Sequence, residues 1–378
     1  MSILRNKLAA ILLSLSVILS FTFASSAQTK SSVSSKSERT RVSQEDNNWN
    51  WHHHDGSVDL QVTIRGKVEF ADDYSDIKSI SYGGEIRVKD DRGGVLRKFE
   101  ATADGGSITR TYSINGQATA FDDDARKWLA KILDQTVRAG GYDARARVQR
   151  LLKQSGARGV LGEISQLKSD YVKRIYFDEL FAQGQLDAES ARQALRMAGT
   201  EISSDYEKAQ LLVKMSDNYL VNDEMRGIYI EGVNTIHSDY ERGRALSALL
   251  KKGELSKGNL MFAIKSAGNI KADYERAQLL IKIANGFALD QAAQTAYLDA
   301  VASISSDYEK GRVLSALLKK EPGKETLLFT LKSASTISSD YEKAQLLLKV
   351  ARSSSGDEAV RSISSEYERG RVLSAVFK

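Results

Sequence analysis

The sequence of 378 residues contains no cysteine, one proline and four histidines. Without cysteine the chain can form no disulfide, no thiolate metal ligand, no cysteine nucleophile and no lipoprotein anchor. It also lacks an HExxH motif, a nucleophile elbow and a complete phosphate-binding glycine loop. Packing alone must therefore stabilise the fold, and we expect a protein that is not an enzyme and that needs no cofactor.

The charge is nearly balanced, with 54 basic and 49 acidic side chains. The two signs are interleaved along the chain, which argues against a nucleic-acid partner. The length exceeds what one ordinary hydrophobic core holds, so we expect two domains or an array of repeats.

Residues 1–27 have the pattern of a secretory signal peptide. Arg5 and Lys7 precede an apolar run from Leu8 to Phe23, and small residues follow up to Ala27. The run is shorter than the roughly 20 residues that a membrane-spanning helix needs. We therefore expect a periplasmic or secreted protein with no integral membrane segment after cleavage. A retained anchor is the alternative.

Residues 28–56 are rich in Ser, Lys, Gln and Asn, a composition that predicts a disordered linker. The linker ends in "WNWHHHD", where His52, His53 and His54 stand beside an acid. Adjacent imidazoles can chelate a divalent metal, so these histidines are candidate metal ligands. A solvated linker without metal is the alternative.

Residues 57–121 change to a period of two, with Val58, Leu60, Val62 and Ile64 alternating with polar residues. The stretches "DDRGG", "ADGG" and "NG" between such segments are typical of tight hairpins. The pattern predicts a small antiparallel β domain. Residues 122–141 then predict a connecting helix that starts with aspartates and ends at a glycine pair.

Residues 142–378 repeat a helical pattern. An Asp-Tyr pair, or Glu-Tyr in the last copy, recurs at steps of 35, 34, 34, 34, 33 and 26 residues. Its acidic residues are Asp170, Asp205, Asp239, Asp273, Asp307, Asp340 and Glu366. A period near 34 predicts an α-solenoid of helix pairs. The fold class is thus α+β, mainly α, with a small antiparallel β domain before the solenoid.

Most copies begin with a capping box, such as Ser238 with Glu241, in which each side chain satisfies a backbone N–H at the helix start. The copy at Asp273 departs, because Ala272 takes the cap position. Positions one, four and seven after the acid are a tyrosine, a small residue and a leucine. We interpret them as one apolar stripe in the core, with an aromatic binding row as the alternative.

Alternate copies differ, so the full unit is about 68 residues. At the fifth position Arg244, Arg312 and Arg371 interleave with glutamines. We expect these arginines to form helix-to-helix salt bridges with nearby glutamates. The alternative is a partner-binding ladder, since guanidinium groups suit carboxylates and phosphates.

The last copy offers a second candidate surface for a partner. The final step is shorter than the others, and solenoids usually cover their terminal stacking surface with polar residues. Val372, Val376 and Phe377 would then lie partly on an open side. We expect this end to dock against a partner or a second copy of the chain, with a plain frayed end as the alternative.

The "SDYEKA" and "SDYERGR" units resemble helical repeats in the exported tails of some bacterial membrane metallopeptidases of the beta-lactam-sensor type. The resemblance covers about residues 144–378 and implies a helical repeat in the cell envelope. It implies no peptidase activity here, because the HExxH motif and the multiple membrane spans of that family are absent.

These observations together predict an exported bacterial scaffold that binds a protein or peptide partner in the envelope through the solenoid surface. A hydrolase of envelope polymers is one alternative, with Asp72, Asp73 and Asp76 of "ADDYSD" as its acids. A turn between strands is the simpler interpretation of those acids. A regulator of a membrane protease is the other alternative.

Overall fold

The computed structural model describes residues 31–34, 39–45, 47–104, 107–183, 186–319, 324–351, 365–367 and 370. They form two units. The first comprises the described residues up to 68 and from 77 to 122, and the second comprises residues 69–76 and the described residues from 123 onward. The predicted α+β class, an antiparallel sheet followed by helical repeats, is confirmed. The predicted signal peptide of residues 1–27 lies outside the described residues.

The first unit is built on an antiparallel sheet. The strands of the described residues are β1 Ser31–Ser34, β2 Arg39–Glu45, β3 Asn48–His54, β4 Val58–Arg65, β5 Val68–Phe70, β6 Ile77–Ile80, β7 Glu85–Arg92, β8 Val95–Asp104, β9 Ser107–Ile114 and β10 Gln117–Ala118. Eight of them form one sheet in the order β1-β2-β3-β4-β7-β8-β9-β10. Along β4 the apolar residues Leu60, Val62 and Ile64 are fully buried, as their alternation predicts.

Two hairpins of this sheet use the turns that the glycines predict. Gly93 and Gly94 join β7 to β8, and both have positive φ angles, 58° and 82°. Asn115 and Gly116 join β9 to β10 with φ angles of 50° and 85°. Such two-residue loops match the twist of the flanking strands, and glycine and asparagine tolerate the left-handed conformation.

The predicted linker of residues 28–56 is wrong over much of its length. Strands β2 and β3 occupy Arg39–Glu45 and Asn48–His54, and β3 pairs along its whole length with β4. Trp49 and Trp51 are buried, opposite Ile64 and Val62 respectively. The alternation of tryptophan with asparagine is a strand signal, and the polar composition of the surrounding chain obscured it.

The second unit consists mainly of helices. Those described are α1 Asp123–Arg138, α2 Ala144–Ile164, α3 Asp170–Gln183, α4 Ala188–Thr200, α5 Asp205–Tyr219, α6 Asp223–Asn234, α7 Asp239–Leu250, α8 Lys257–Gly268, α9 Asp273–Gly286, α10 Gln291–Ala302, α11 Asp307–Leu317, α12 Lys324–Ala334 and α13 Asp340–Ala351. Among the described residues, no helix has both the length and the apolar character needed to cross a membrane.

The helices pack in two layers. We call A-helices those that begin at the repeated aspartate, which are α3, α5, α7, α9, α11 and α13. The helices between them, α4, α6, α8, α10 and α12, are the B-helices. Each A-helix packs against the next A-helix, and each B-helix packs against the next B-helix. This arrangement is a solenoid of helix pairs, as the period near 34 residues predicts.

The predicted apolar stripe is correct at two of its three positions. Ala209 and Leu212, at the fourth and seventh positions of α5, are fully buried, and so are their equivalents Ala277 and Leu280 in α9. The tyrosines at the first position are not buried, so their interpretation as core residues is wrong. They lie on the opposite side of each A-helix.

Candidate functional site

The repeated aspartate fixes each A-helix to the next one. Asp205 Oδ2 accepts a hydrogen bond from the backbone N–H of Ser238 at 2.7 Å, and Asp273 Oδ2 accepts one from Ser306 at 2.8 Å. The bonds from Ser204 to Asp170, from Ala272 to Asp239 and from Ser339 to Asp307 are equivalent. A carboxylate at a helix N-terminus makes a charge-assisted bond to an otherwise unpaired N–H group. This aspartate ladder sets the register of successive A-helices.

Of the two hydrogen bonds predicted for each capping box, the one to the serine is present in the described copies and the one to the glutamate is not. The serine hydroxyl oxygens at 204, 238, 306 and 339 accept from the N–H group three residues on, at 3.3 to 3.4 Å. The reciprocal bond from the glutamate is replaced, because the cap N–H already donates to the aspartate of the preceding repeat. In α7 and α11 the glutamate carboxylate instead pairs with the arginine of its own helix, at 2.6 Å from Glu241 to Arg244. In α5 the Glu207 carboxylate pairs with Arg174 of the preceding A-helix.

The basic residue three positions after the aspartate points into the solenoid. Lys208 Nζ donates to Thr235 Oγ1 at 2.7 Å, at the C-terminal end of α6. Arg276 donates to the backbone oxygen of Ser303 at 2.6 Å, at the end of α10. These cations satisfy carbonyl and hydroxyl groups at the ends of B-helices. Burial lowers the pKa of Lys208, although the nearby aspartates oppose that shift.

The tyrosines at the first position form an exposed row. Five of them are 54% to 59% exposed, namely Tyr206, Tyr240, Tyr274, Tyr308 and Tyr341, and we call these five residues the tyrosine row. The helix turns by about 100° per residue, so positions three, four, seven and ten share one buried side. Positions one, five, eight and nine lie on the opposite side. The tyrosines therefore belong to an outward face of the A-helices, which we call the A-face.

Arg244 and Arg312 of the predicted arginine ladder lie on this A-face. The Arg244 guanidinium lies 5.9 Å from the centre of the Tyr240 ring, and that of Arg312 lies 5.6 Å from the Tyr308 ring. The ion pairs of these arginines are with Glu241 and with Glu309, in their own helices. The expected helix-to-helix salt bridges are therefore wrong for Arg244 and Arg312. The link of Arg244 to the preceding repeat is a 3.3 Å hydrogen bond to Gln210 Oε1.

A lysine completes the A-face in the copies that lack the arginine. Lys282 Nζ donates to Ser247 Oγ at 2.7 Å, and Lys349 Nζ donates to Ser315 Oγ at 2.8 Å, in each case across to the preceding A-helix. Lys214, the equivalent residue of α5, pairs with Asp178 at 2.8 Å. Burial lowers the pKa of Lys282, and the neighbouring cation Lys251 lowers it further. The lysine row was missed in the sequence, although its positions alternate with those of the arginines.

Alternate copies have glycine at the fourth position because of the contacts between successive A-helices. A Cβ atom added to Gly243 would lie 3.2 Å from Glu275 Oε2, and one added to Gly311 would lie 3.3 Å from Glu342 Oε2. Glycine in one copy thus admits the glutamate of the next copy. Burial raises the pKa of Glu342, and the Asp307 carboxylate raises it further. Both glutamates therefore lie between successive A-helices.

A groove of about 430 Å³ lies between α11 and α13 on the A-face. Its lining includes the rings of Tyr308 and Tyr341 and the aliphatic residue Ile281. Three cations, Arg312, Lys319 and Lys349, and one carboxylate, that of Glu342, also line it. The groove therefore combines apolar walls with an excess of positive charge. It can accommodate an apolar side chain next to a negatively charged one.

The three candidate metal ligands are not brought together. They lie in β3, where successive side chains alternate between the two faces of the sheet. His52 Nε2 is 2.6 Å from Asp59 Oδ1, whereas His53 stacks on Trp51 and its Nδ1 is 3.0 Å from Thr40 Oγ1. In the part of the chain that the structure describes, no three His, Asp or Glu residues are grouped as metal ligands.

The acids of "ADDYSD" have structural partners. Asp72 pairs with Arg150 at 3.6 Å, and Asp73 Oδ1 accepts from the Ser75 hydroxyl at 2.6 Å. The backbone oxygen of Asp76 accepts from the N–H of Ala71 at 2.8 Å. These contacts form a turn, as the simpler interpretation of the segment predicts. Arg371, Val372, Val376 and Phe377, proposed for partner binding, lie outside the described residues.

No family model and no curated protein matches the chain. A solved structure described as "Computational Design of Self-Assembling Cyclic Protein Homooligomers" is 14% identical to it, over 65% of this chain and 88% of that chain, with a TM-score of 0.13. A score this low carries no argument about fold or assembly. The resemblance to metallopeptidase tails stays a prediction.

Proposed function

We propose that the protein is an exported, non-enzymatic interaction protein of the bacterial envelope that binds a protein or peptide partner through the A-face. The observation that carries this proposal is the tyrosine row. The repeat places a large aromatic side chain, more than half exposed, at the same position of five successive A-helices. Exposed aromatic residues that recur in this way mark binding surfaces, because they supply apolar contact area at low entropic cost.

The apolar core of the solenoid does not include these tyrosines. The buried side of each A-helix is formed by other positions, and the aspartate ladder already fixes the register of the helices. A polar residue at the first position would leave both features intact. Binding therefore explains the tyrosine row better than stability does.

Export rests on the signal-peptide pattern of residues 1–27 and on the resemblance of the repeats to envelope proteins. The absence of an enzymatic role is supported by the missing catalytic motifs. It is also supported by the contacts of Asp72 and Asp73, whose carboxylates bind Arg150 and Ser75. The proposal thus favours a scaffold over a hydrolase of envelope polymers.

Photo-crosslinking in cells that express the natural gene tests the proposal. A photoreactive phenylalanine analogue is placed at Tyr274 and, as the matched control, at Phe262 of α8, since both side chains are 57% exposed. We expect discrete protein adducts at position 274 and none at position 262. Equal adducts at both positions, or none at either, would contradict a partner site on the A-face.

A further inference from the structure

The A-face carries one cation for each A-helix from α5 to α13, in the order Lys214, Arg244, Lys282, Arg312 and Lys349. Arginine alternates with lysine, and the lysine comes from a different helical position. Both types of copy thus place one cation on the A-face, although they use different residues. Every repeat in this part of the chain presents a tyrosine together with a cation.

Most carboxylates near this face are already engaged, and the half-buried Glu342 is the one that lines the groove between α11 and α13. Glu241 and Glu309 are both 8% exposed and pair with arginines, while the aspartates accept backbone N–H groups. Each arginine keeps further N–H donors for a ligand after pairing with its glutamate. The ammonium groups of Lys282 and Lys349 donate to serine hydroxyls rather than to carboxylates. The A-face therefore complements a chain of negative charges.

Apolar side chains on the A-face favour a peptide ligand over other negatively charged polymers. Val213, Ile281 and Leu348 are half-buried at the eighth position of alternate A-helices. Ile281 also lines the groove between α11 and α13. Aliphatic side chains contribute to binding when they cover apolar side chains or prolines of a ligand, whereas a sugar polymer offers mainly hydroxyl groups.

We infer that the A-face binds an acidic peptide segment in the polyproline II conformation, with a carboxylate at every third residue lying against the cation of successive A-helices. This inference rests on the proposed function and names the chemistry of the partner. Neighbouring packed helices are about 8 to 10 Å apart. A polyproline II chain repeats every three residues and rises about 3.1 Å per residue, so one turn spans roughly 9 Å. The two periods match, and rows of aromatic side chains are a common surface for this conformation.

A synthetic peptide tests the match of charge and period. Fluorescence anisotropy measures the binding of five Glu-Pro-Pro triplets to the full-length protein at low salt. The control peptide has the same composition, with its glutamates gathered at one end. We expect the spaced peptide to bind about fivefold more tightly, the effect of roughly one surface ion pair, and its binding to weaken as salt is added.

Variants locate the binding surface. Lys282→Glu with Lys349→Glu should weaken binding of the spaced peptide about tenfold, because attraction becomes repulsion at two contacts. Lys265→Glu with Lys332→Glu, on α8 and α12, makes the same charge change among exposed lysines of B-helices and should alter binding less than about twofold. Circular dichroism melting of each variant verifies that it is folded.

The outcomes separate this inference from the proposed function. Equal affinity for the two glutamate peptides, or equal loss in the two lysine pairs, would overturn the inference. Tight binding of a Lys-Pro-Pro peptide that depends on Tyr274 and Tyr308 would overturn it while leaving a peptide-binding A-face. Binding of an anionic oligosaccharide such as oligogalacturonate, with neither glutamate peptide bound, would overturn both the inference and the peptide partner.

Discussion

The Asp239 carboxylate accepts a hydrogen bond from the backbone N–H of Ala272 at 2.9 Å, which joins the first residue of α7 to the cap of α9. Ala272 has no side chain that can cap its helix, whereas the other cap positions hold serine. The helix start therefore depends on a carboxylate from the preceding repeat. The same relationship, repeated along the A-helices, explains why an acidic residue begins every copy.

The missing serine at position 272 predicts a stabilising substitution. Ala272→Ser should raise the free energy of unfolding by about 1 kcal/mol, because its hydroxyl can accept from the N–H of Glu275. Ser306→Ala removes the equivalent bond to Glu309 and should lower it by a similar amount. Urea denaturation measures both. A destabilising effect of Ala272→Ser would show that the cap geometry is different from the one described.

The close approach of α4 and α6 predicts opposite effects for two glycines. A Cβ atom on Gly199 would lie 2.8 Å from the Cα of Gly232, so Gly199→Ala should destabilise the protein by about 1 to 3 kcal/mol. Gly162 in α2 has no such atom within 4 Å, so Gly162→Ala should stabilise it by about 0.5 to 1 kcal/mol. Thermal unfolding distinguishes the two signs, and equal shifts would contradict the helix contact.

Exposure of the tyrosine row predicts a small effect on stability. Tyr240→Ala should change the free energy of unfolding by less than about 0.5 kcal/mol, because the side chain is 59% exposed. Leu246→Ala, on the buried side of the same helix, should cost about 2 to 5 kcal/mol. Chemical denaturation of both variants decides the matter. A comparable loss of stability for Tyr240→Ala would show that the tyrosine contributes to the core after all.

The hydrogen bonds of Asp223 predict a stability effect that depends on pH. Bonds from Ser256 and from Asn259 lower the pKa of Asp223 below its ordinary value of 3.8. The stabilising contribution is therefore complete above that pH and is lost as the pH falls through the lower folded value. The stability difference between the wild type and Asp223→Asn should shrink as the pH falls below 3.8.

A surface acid supplies the control for that measurement. Asp124 is 93% exposed, so Asp124→Asn should differ little from the wild type at either pH. Urea denaturation at neutral and acid pH compares the variants. A difference for Asp223→Asn that persists undiminished in acid would contradict a role for the ionised carboxylate.

The repeat and its helices could be predicted from the sequence, because the period near 34 residues and the serine caps are local signals. The exposure of the tyrosines could not be predicted from the sequence spacing alone, because the tyrosine, the small residue and the leucine are three residues apart, as in an apolar stripe. The buried side also includes the third position, where Lys208 is buried and bonds to Thr235. A charged residue in that position resembles a surface residue until its partner in another helix is known.

Contacts across repeats account for most of what the sequence did not reveal. Asp239 and Ala272 are 33 residues apart, so their bond depends on how successive A-helices pack. Strand β3 was missed for a different reason, because the alternation of Trp49 and Trp51 is short and lies in a polar stretch. The histidines at its end were assigned to a linker for the same reason, although the strand places His53 on the opposite face from His52 and His54.

The most direct test of the A-face is nitration of tyrosines with tetranitromethane, followed by mass spectrometry, with and without saturating Glu-Pro-Pro peptide. In the free protein the tyrosine row should react, whereas the buried residues Tyr229 and Tyr297 should not. The peptide should protect the tyrosine row and leave Tyr82, which is 93% exposed in the first unit, fully reactive. A tyrosine row that resists nitration without the peptide, or that reacts equally with and without it, would contradict the account.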